Sequence, residues 1–401
     1  MIRFIEELLL FQTLDDKKHC VGIYSDGKLI YDNLPLDITH TWNYASFLKD
    51  RDIQYAKIYC GGKSLDEVCP EALQPRWQAV NNRLVAFYKS FHTARVSLNE
   101  NCFYDLIPER DIMDWCVVKN QICRHVFEKY EKPPNYDYLV ELSSSLADIK
   151  YRKLNLDLSG LKPYKNKHVK LKKTLRTSQP YCKFNMWGTK TGRLTTVRSG
   201  FPILTLDKTM RNIIKPHNDY FVELDFNAAE LRTLLALQNK TQPAEDIHEW
   251  NVKNVFKKSL SRDEAKKRIF AWLYNPESHD PLCEHAYGRE SVVQKYFTQG
   301  QVTTFWGKVI PSEKRTALNY IIQSTCAENV LRQMIKLSNY LKGCQTYVAF
   351  PIHDSVVLDL SSEEKEKLPE LVDIFSNTAL GKMRVNVSVG KDFGNLKKLE
   401  F

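Results

Sequence analysis

Residues 220–237, YFVELDFNAAELRTLLAL, restrict the fold of this chain more than any other stretch. The run from Tyr220 to Leu224 is apolar and β-forming, and it predicts a buried strand that closes on Asp225. An Ala/Leu-rich helix follows at once, with Glu230 in its first turns. A carboxylate drawn into the interior is costly unless something positive comes to meet it. The strand end therefore requires a salt bridge or a metal ion.

A second stretch, SRDEAKKRIFAWLYN (261–275), predicts a helix capped by Ser261 and stopped by Pro276. Arg262, Lys266, Phe270 and Tyr274 recur every four residues and form one slowly winding stripe. On an ordinary amphipathic helix the two aromatics would face the core and the two cations water. Cations followed by aromatics on a single stripe instead suit a nucleotide, phosphates first and base second. The third stretch, YVAFPIHDSVVLDL (347–360), places His353-Asp354 at a turn between two β-like runs. Asp225 and Asp354, converging from separate strands, could hold two Mg²⁺ ions roughly 3.5–4 Å apart. Without such ions the two carboxylates would repel, and one would tend to stay protonated.

Charge adds a partner class. Between Leu158 and Leu206 there are 11 Lys/Arg and no Asp or Glu, against a net charge of +10 for the whole chain. Tyr164, Tyr181, Phe184 and Trp187 interleave these cations, a pattern that favours a nucleic-acid backbone over a merely solvated face. The ten cysteines include no C-x-x-C pair, which argues against a zinc knuckle or a disulfide framework and for a reducing compartment. The opening MIRFIEELLLFQTL is a poor signal peptide, and no stretch approaches the ~18–20 apolar residues of a membrane span. An intracellular, soluble protein is expected. At 401 residues it should hold two or three domains or subdomains. HCVGIYSDGKLIYDNL predicts a hairpin about Asp26-Gly27, CGGKS (60–64) a turn, and residues 105–150 amphipathic helices.

In this order the motifs resemble those of the family A DNA polymerases, the DNA polymerase I class. DFNAAELR is similar to the family's motif A, RDEAKKRIFAWLYN to motif B on the fingers helix, and IHDS to motif C. TGRLTT (191–196), DIH (246–248), RTALNYIIQST (315–325) and VNVSVGKDFG (385–394) resemble smaller family segments between and around them. The resemblance implies an α+β right-hand polymerase fold: a palm with an antiparallel sheet, helical fingers and thumb, plus a small N-terminal α/β region. The expected division is residues 1–100 for that region, 101–215 for thumb-like helices and the basic segment, and 216–401 for palm and fingers, the fingers spanning about 240–312.

It also implies roles. Asp225 and Asp354 would hold two Mg²⁺ ions, with the Phe226 carbonyl as a third ligand and Mn²⁺ as a substitute. Arg262, Lys266 and His248 would meet the triphosphate, and Lys266 would protonate the departing pyrophosphate. Phe270 would pack on sugar and base, Tyr274 would lie beneath the nascent pair, and Glu230 would crowd the 2′ position against ribonucleotides. Arg193, Arg315, Asn319, Gln323 and His353 would contact primer and template. The substrates implied are primer–template DNA and dNTPs. The picture is a monomer in a bacterial host's cytoplasm if phage-encoded, with room for a replicative helicase or processivity factor and no membrane.

The chain departs from the family at several positions. Ser355 replaces the usual Glu after His-Asp, Ala228 the usual Gln of motif A, and Asn275 stands where a Gly follows the motif B Tyr. No D-x-E lies at a strand end in the first 100 residues, so a 3′–5′ exonuclease is not expected, and that region reads as a worn remnant of one or as an unrelated module. Two other readings stay open: a single-subunit RNA polymerase or ribonucleotide-tolerant enzyme, and a DNA-binding relic without catalysis. Glu230 argues against the first, and the intact carboxylates and cations against the second.

Overall fold

The computed structural model describes residues 9–14, 22–98, 100–159 and 180–400. Tyr164 and seven of the eleven cations of the basic segment lie outside these residues, as does most of the N-terminal apolar patch. The chain divides into two compact units, Met1–Tyr151 and Arg152–Phe401.

In the first unit β1 (Phe11–Thr13), β2 (Ile23–Ser25) and β3 (Lys28–Ile30) form an antiparallel sheet. The Asp26-Gly27 turn has positive φ at both residues (44° and 74°), the condition for a tight hairpin whose twist matches its strands. CGGKS is a turn, with Gly61 and Gly62 both left-handed. Beyond two helices of four residues each, three longer ones follow: α1 (Gln74–Thr93), α2 (Glu109–Lys129) and α3 (Tyr136–Lys150). α1 and α2 pack around Trp77, Trp115, Ile122 and Val126. Lys119 of α2 is buried against the Trp115 ring at 4.3 Å, and burial pushes its ammonium down to about 8.

The second unit is built on β4 (Tyr220–Phe226), followed by α4 (Ala229–Leu237), α5 (Ile247–Asn254), α6 (Arg262–Tyr274), α7 (Pro281–Tyr287) and α8 (Arg289–Tyr296). A small antiparallel sheet comes next, β5 (Phe297–Thr298), β6 (Gln301–Thr303) and β7 (Val309–Pro311), and then the 27-residue helix α9 (Lys314–Tyr340). The chain closes with β8 (Tyr347–Ile352), β9 (Ser355–Leu360), α10 (Leu368–Ser376), β10 (Val385–Gly390) and β11 (Lys397–Leu399). The main sheet is antiparallel throughout, in the order β8-β9-β4-β10-β11. The α+β class and antiparallel palm-type sheet are as expected. No helix among the described residues is long and apolar enough to cross a membrane.

β4 explains how a buried strand can end in charge. Side chains alternate between faces along a strand. Val222, Leu224 and Phe226 share one face, where Phe226 stacks on Phe375 of α10 with ring centroids 4.4 Å apart. Phe221, Glu223 and Asp225 share the other. That face begins apolar, with Phe221 against Phe350 and Phe393, and turns acidic toward its end.

Candidate active site

Strand register brings the two predicted aspartates together. Asp225 pairs with Ser355 of β9 on one side and Asn386 of β10 on the other. Ser355 immediately follows the two-residue turn His353-Asp354 that joins β8 to β9, and Ile352 pairs across that turn with Ser355. His353 adopts φ 50°, which lets so short a connection close. Asp354 is thereby fixed at the same end of the sheet as Asp225, although the elements from α4 to α9 separate them in sequence.

The pair is short of positive charge. Burial pushes the Asp225 carboxyl up to about 6; the Asn386 amide, 3.2 Å from Oδ2, opposes this, while Glu223 and Asp354 add to it. Asp354 Oδ1 is buried and accepts no hydrogen bond, with the Arg193 guanidinium 3.8 Å away. Two hard oxygen donors in this state fit a divalent cation. Among the described residues no group of three or more His, Cys, Asp or Glu is placed to hold a metal ion by itself. Mg²⁺ does not need one where a substrate's phosphates complete its shell.

Glu230, in the first turn of α4, faces the same space. It accepts a hydrogen bond from the Tyr274 hydroxyl and lies 3.5 Å from Arg193. Burial and that contact raise the Tyr274 phenol above its ordinary range. Arg193 therefore reaches both the gate candidate and one metal-ligand candidate, each at ion-pair distance. Arg193 and His353 also line an open groove with Thr189, Thr195 and Thr196.

α6 starts with a capping box in which Ser261 and Glu264 satisfy each other's backbone amides. Ala265, Ile269, Trp272 and Leu273 form its buried face. Arg262, Lys266 and Tyr274 are exposed and Phe270 half-buried, so the aromatics of the stripe are not core residues. Phe270 and Tyr274 lie nearly parallel, with centroids 6.0 Å apart and planes at 10°. His248, 4% exposed, sits 6.0 Å from the Phe270 ring; burial lowers its pKa, and its Nδ1 has no partner. On α9, Arg315, Asn319 and Gln323 recur at one-turn spacing, none of them fully buried; Arg315 pairs with Glu313 at 2.7 Å.

The sequence reading assigned nothing to the groups that hold this scaffold. Arg232, with no exposed surface, donates to the carbonyls of Asn227, Pro243 and Glu245 and to Asn227 Oδ1. Asn227 in turn donates to Asp246, the N-cap of α5. Asp246 also binds Arg262 through two contacts of 3.0 and 3.2 Å. An Arg inside the apolar run LRTLLAL was the available signal, because a buried guanidinium must find partners.

No family model matches the chain. It is 24% identical over 284 residues to DNA polymerase I of Aquifex aeolicus, covering 59% of this chain and 49% of the relative. It is 24% identical to the thermostable DNA polymerase I of Thermus aquaticus (56% and 33% covered) and to the DNA polymerase of Mycobacterium phage L5 (48% and 38%). The matches thus span at most about half the length of these relatives. Among solved structures, the POL domain of Pol1 from M. smegmatis, in complex with DNA primer-template and dNTP, superposes with a TM-score of 0.68 over 96% of this chain and 95% of that one, at 12% identity. In sequence the chain is similar to DNA polymerase I, and its fold is similar to that of the Pol1 POL domain.

Proposed function

We propose that the chain is a template-directed DNA polymerase that adds dNTPs to a primer 3′-hydroxyl, and that it does so without a 3′–5′ exonuclease of its own. The observation that carries this reading is the convergence of Asp225 and Asp354 at one sheet end, with too little positive charge to satisfy them. Asp225, Asp354 and the Phe226 carbonyl would hold two Mg²⁺ ions. When bound, these supply the charge that favours the ionised 3′-hydroxyl and offsets charge developing on the phosphates.

The chain's own groups bind and orient. Lys266 presents an exposed ammonium one turn beyond Arg262 on α6, where both can meet a triphosphate, and Lys266 can pass a proton to the departing pyrophosphate. Arg262 must then share its guanidinium between Asp246 and phosphate. Phe270 and Tyr274 offer a flat, accessible pair of rings to sugar and base. Glu230, held by Tyr274, would crowd the 2′ position and reject a 2′-hydroxyl. Arg193, His353, Arg315, Asn319 and Gln323 supply donors for primer and template. Positioning and electrostatics carry the catalysis.

The test is primer extension on a defined DNA template with Mg²⁺, giving dNTPs and NTPs in parallel, beside Asp354→Ala. Extension with dNTPs alone, lost in the variant, is the expected result. Extension with NTPs would move the chain to the RNA-polymerase reading. DNA binding without extension would favour a binding relic.

A further inference from the structure

Glu223 stands two residues before Asp225, on the same face of β4. Its Oε1 lies 2.8 Å from Ser355 Oγ, which is also 3.0 Å from the Ile352 carbonyl. A hydroxyl has one proton to donate, so Ser355 serves one of these acceptors at a time. Ser355 is 3% exposed and directly follows Asp354, at the position where the chain departs from the Glu of the polymerases it resembles. The carboxylate missing from β9 thus has a counterpart on β4 whose oxygen ends at the residue that replaced it.

Glu223 makes no ion pair within 4 Å among the described residues. Ser355 is its hydrogen-bond partner among the described residues. Arg211 lies within its electrostatic reach, but its Nε faces the Leu206 carbonyl and its guanidinium lies over the Phe393 ring at 4.8 Å. A strand-to-strand pin would need only an acceptor here. A charged one, next to two carboxylates already short of cations, adds repulsion that a purely structural role does not require.

We propose that Glu223 is the third carboxylate of the Asp225–Asp354 centre, positioned by Ser355 and acting from the outer shell to raise that centre's affinity for divalent cations. The inference rests on the reading of this centre as a cation site. Outer-shell partners of a metal centre typically change its affinity by about 10–100-fold.

The test is titration of the full chain with Mn²⁺, reading free Mn²⁺ by electron paramagnetic resonance, with thermal melts to establish folding. Glu223→Gln keeps an acceptor for Ser355 and removes the charge; it should weaken Mn²⁺ binding at least about 10-fold. Ser355→Ala, which frees the carboxylate, should weaken it less. The exchange Glu223→Ser with Ser355→Glu should restore affinity to within about threefold of the unmodified chain, because the charge returns to the same place. Unchanged Mn²⁺ affinity in Glu223→Gln, or no Mn²⁺ binding by the unmodified chain, overturns the proposal. If Glu223→Gln does not melt cooperatively, Ser355→Ala and the exchange decide it: both must move as stated. Primer extension measured alongside keeps the two readings apart. Extension by the unmodified chain with Mn²⁺ affinity indifferent to Glu223 leaves the polymerase and removes Glu223. Affinity that follows Glu223 in a chain that extends nothing leaves the cation centre and removes the polymerase.

Discussion

Asp225 and Asp246 belong to the same unit and lie at opposite ends of the loop and helix that follow β4, yet their surroundings act on them in opposite directions. Asp225 ends a buried strand with one amide donor and two carboxylates near it, and its carboxyl is pushed up to about 6. For Asp246 burial also acts upward, but hydrogen bonds from Arg262, Asn227 and the Glu249 backbone outweigh it and hold the carboxyl well below the usual range. The second has every partner it can use, and its charge stabilises the fold. The first is held ionised only at a cost, the kind of perturbation that clusters at functional sites. The two carboxylates thus differ both in depth, Asp225 being the more deeply buried, and in how completely their lone pairs are answered.

The largest effect that would break this comparison is on catalysis. Asp354→Ala should reduce primer extension at least about 10³-fold, since a bound cation's charge is worth several kcal/mol in such a transfer. Asp246→Ala should leave chemistry measurable and act through stability and nucleotide binding. Single-turnover extension at saturating dNTP reads the difference. Equal losses in both variants would mean that the two carboxylates do not differ in kind. Glu230→Ala comes next, with ribonucleotide incorporation expected to rise about 10²-fold, the discrimination an extra hydroxyl commonly meets in a close-fitting site. Unchanged rejection of NTPs would remove Glu230 as the gate.

What was legible in the sequence was local. The carboxylate closing β4, the stripe on α6, the Ser261 cap and the His353-Asp354 turn all follow from periodicity and turn chemistry within fifteen residues or so. The structure settled one ambiguity in the stripe: Trp272 and Leu273 take the core face, leaving Phe270 and Tyr274 accessible. Partners fixed by register or by a loop's path were not legible. Nothing in SRDEA announces that Arg262 meets Asp246, and nothing near Arg232 announces the carbonyls of Pro243 and Glu245. The Glu223–Ser355 contact depends on β4 and β9 pairing in one register, which sequence alone leaves free. The sheet β5-β6-β7 was likewise hidden, its strands being only two or three residues long.

Stability against pH sharpens the same contrast, and the signs differ. Asp225 has a raised folded value, so between about 4 and about 6 the folded chain binds more protons than the unfolded one. Its contribution therefore falls as pH rises through that window and stays unfavourable above it. Asp246 has a depressed folded value. Its contribution is present above the ordinary carboxylate value of 3.8 and is lost as pH falls below it. In metal-free buffer at pH 7, Asp225→Asn should accordingly stabilise the chain by on the order of 1–2 kcal/mol after solvent screening. Asp246→Ala should destabilise it by about 1–2 kcal/mol through the lost cap. Urea denaturation at pH 7 and pH 4 checks both. The Asp225→Asn gain should shrink at the lower pH, and a gain that persists there would mean that burial of the ionised form is not its source.

The smallest expected effect lies at the edge of the same space. Tyr274→Phe removes the hydroxyl that Glu230 accepts from and keeps the ring that stacks near Phe270. One hydrogen bond to a charged acceptor is worth about 1.5–3 kcal/mol when buried, and Tyr274 is 44% exposed, so about 1 kcal/mol or less is expected. That corresponds to a rise of roughly fivefold in KM for dNTP, with kcat little changed, because the contact positions Glu230 and touches no reacting atom. Arg193 still reaches Glu230 at 3.5 Å and should keep it nearby, which limits the loss. If Arg193→Ala is made in addition, both tethers of Glu230 are gone and discrimination against ribonucleotides should fall further than the two single changes predict. Strict additivity would mean that Glu230 is held by the fold of α4 alone, and that its hydrogen bonds are incidental to the gate.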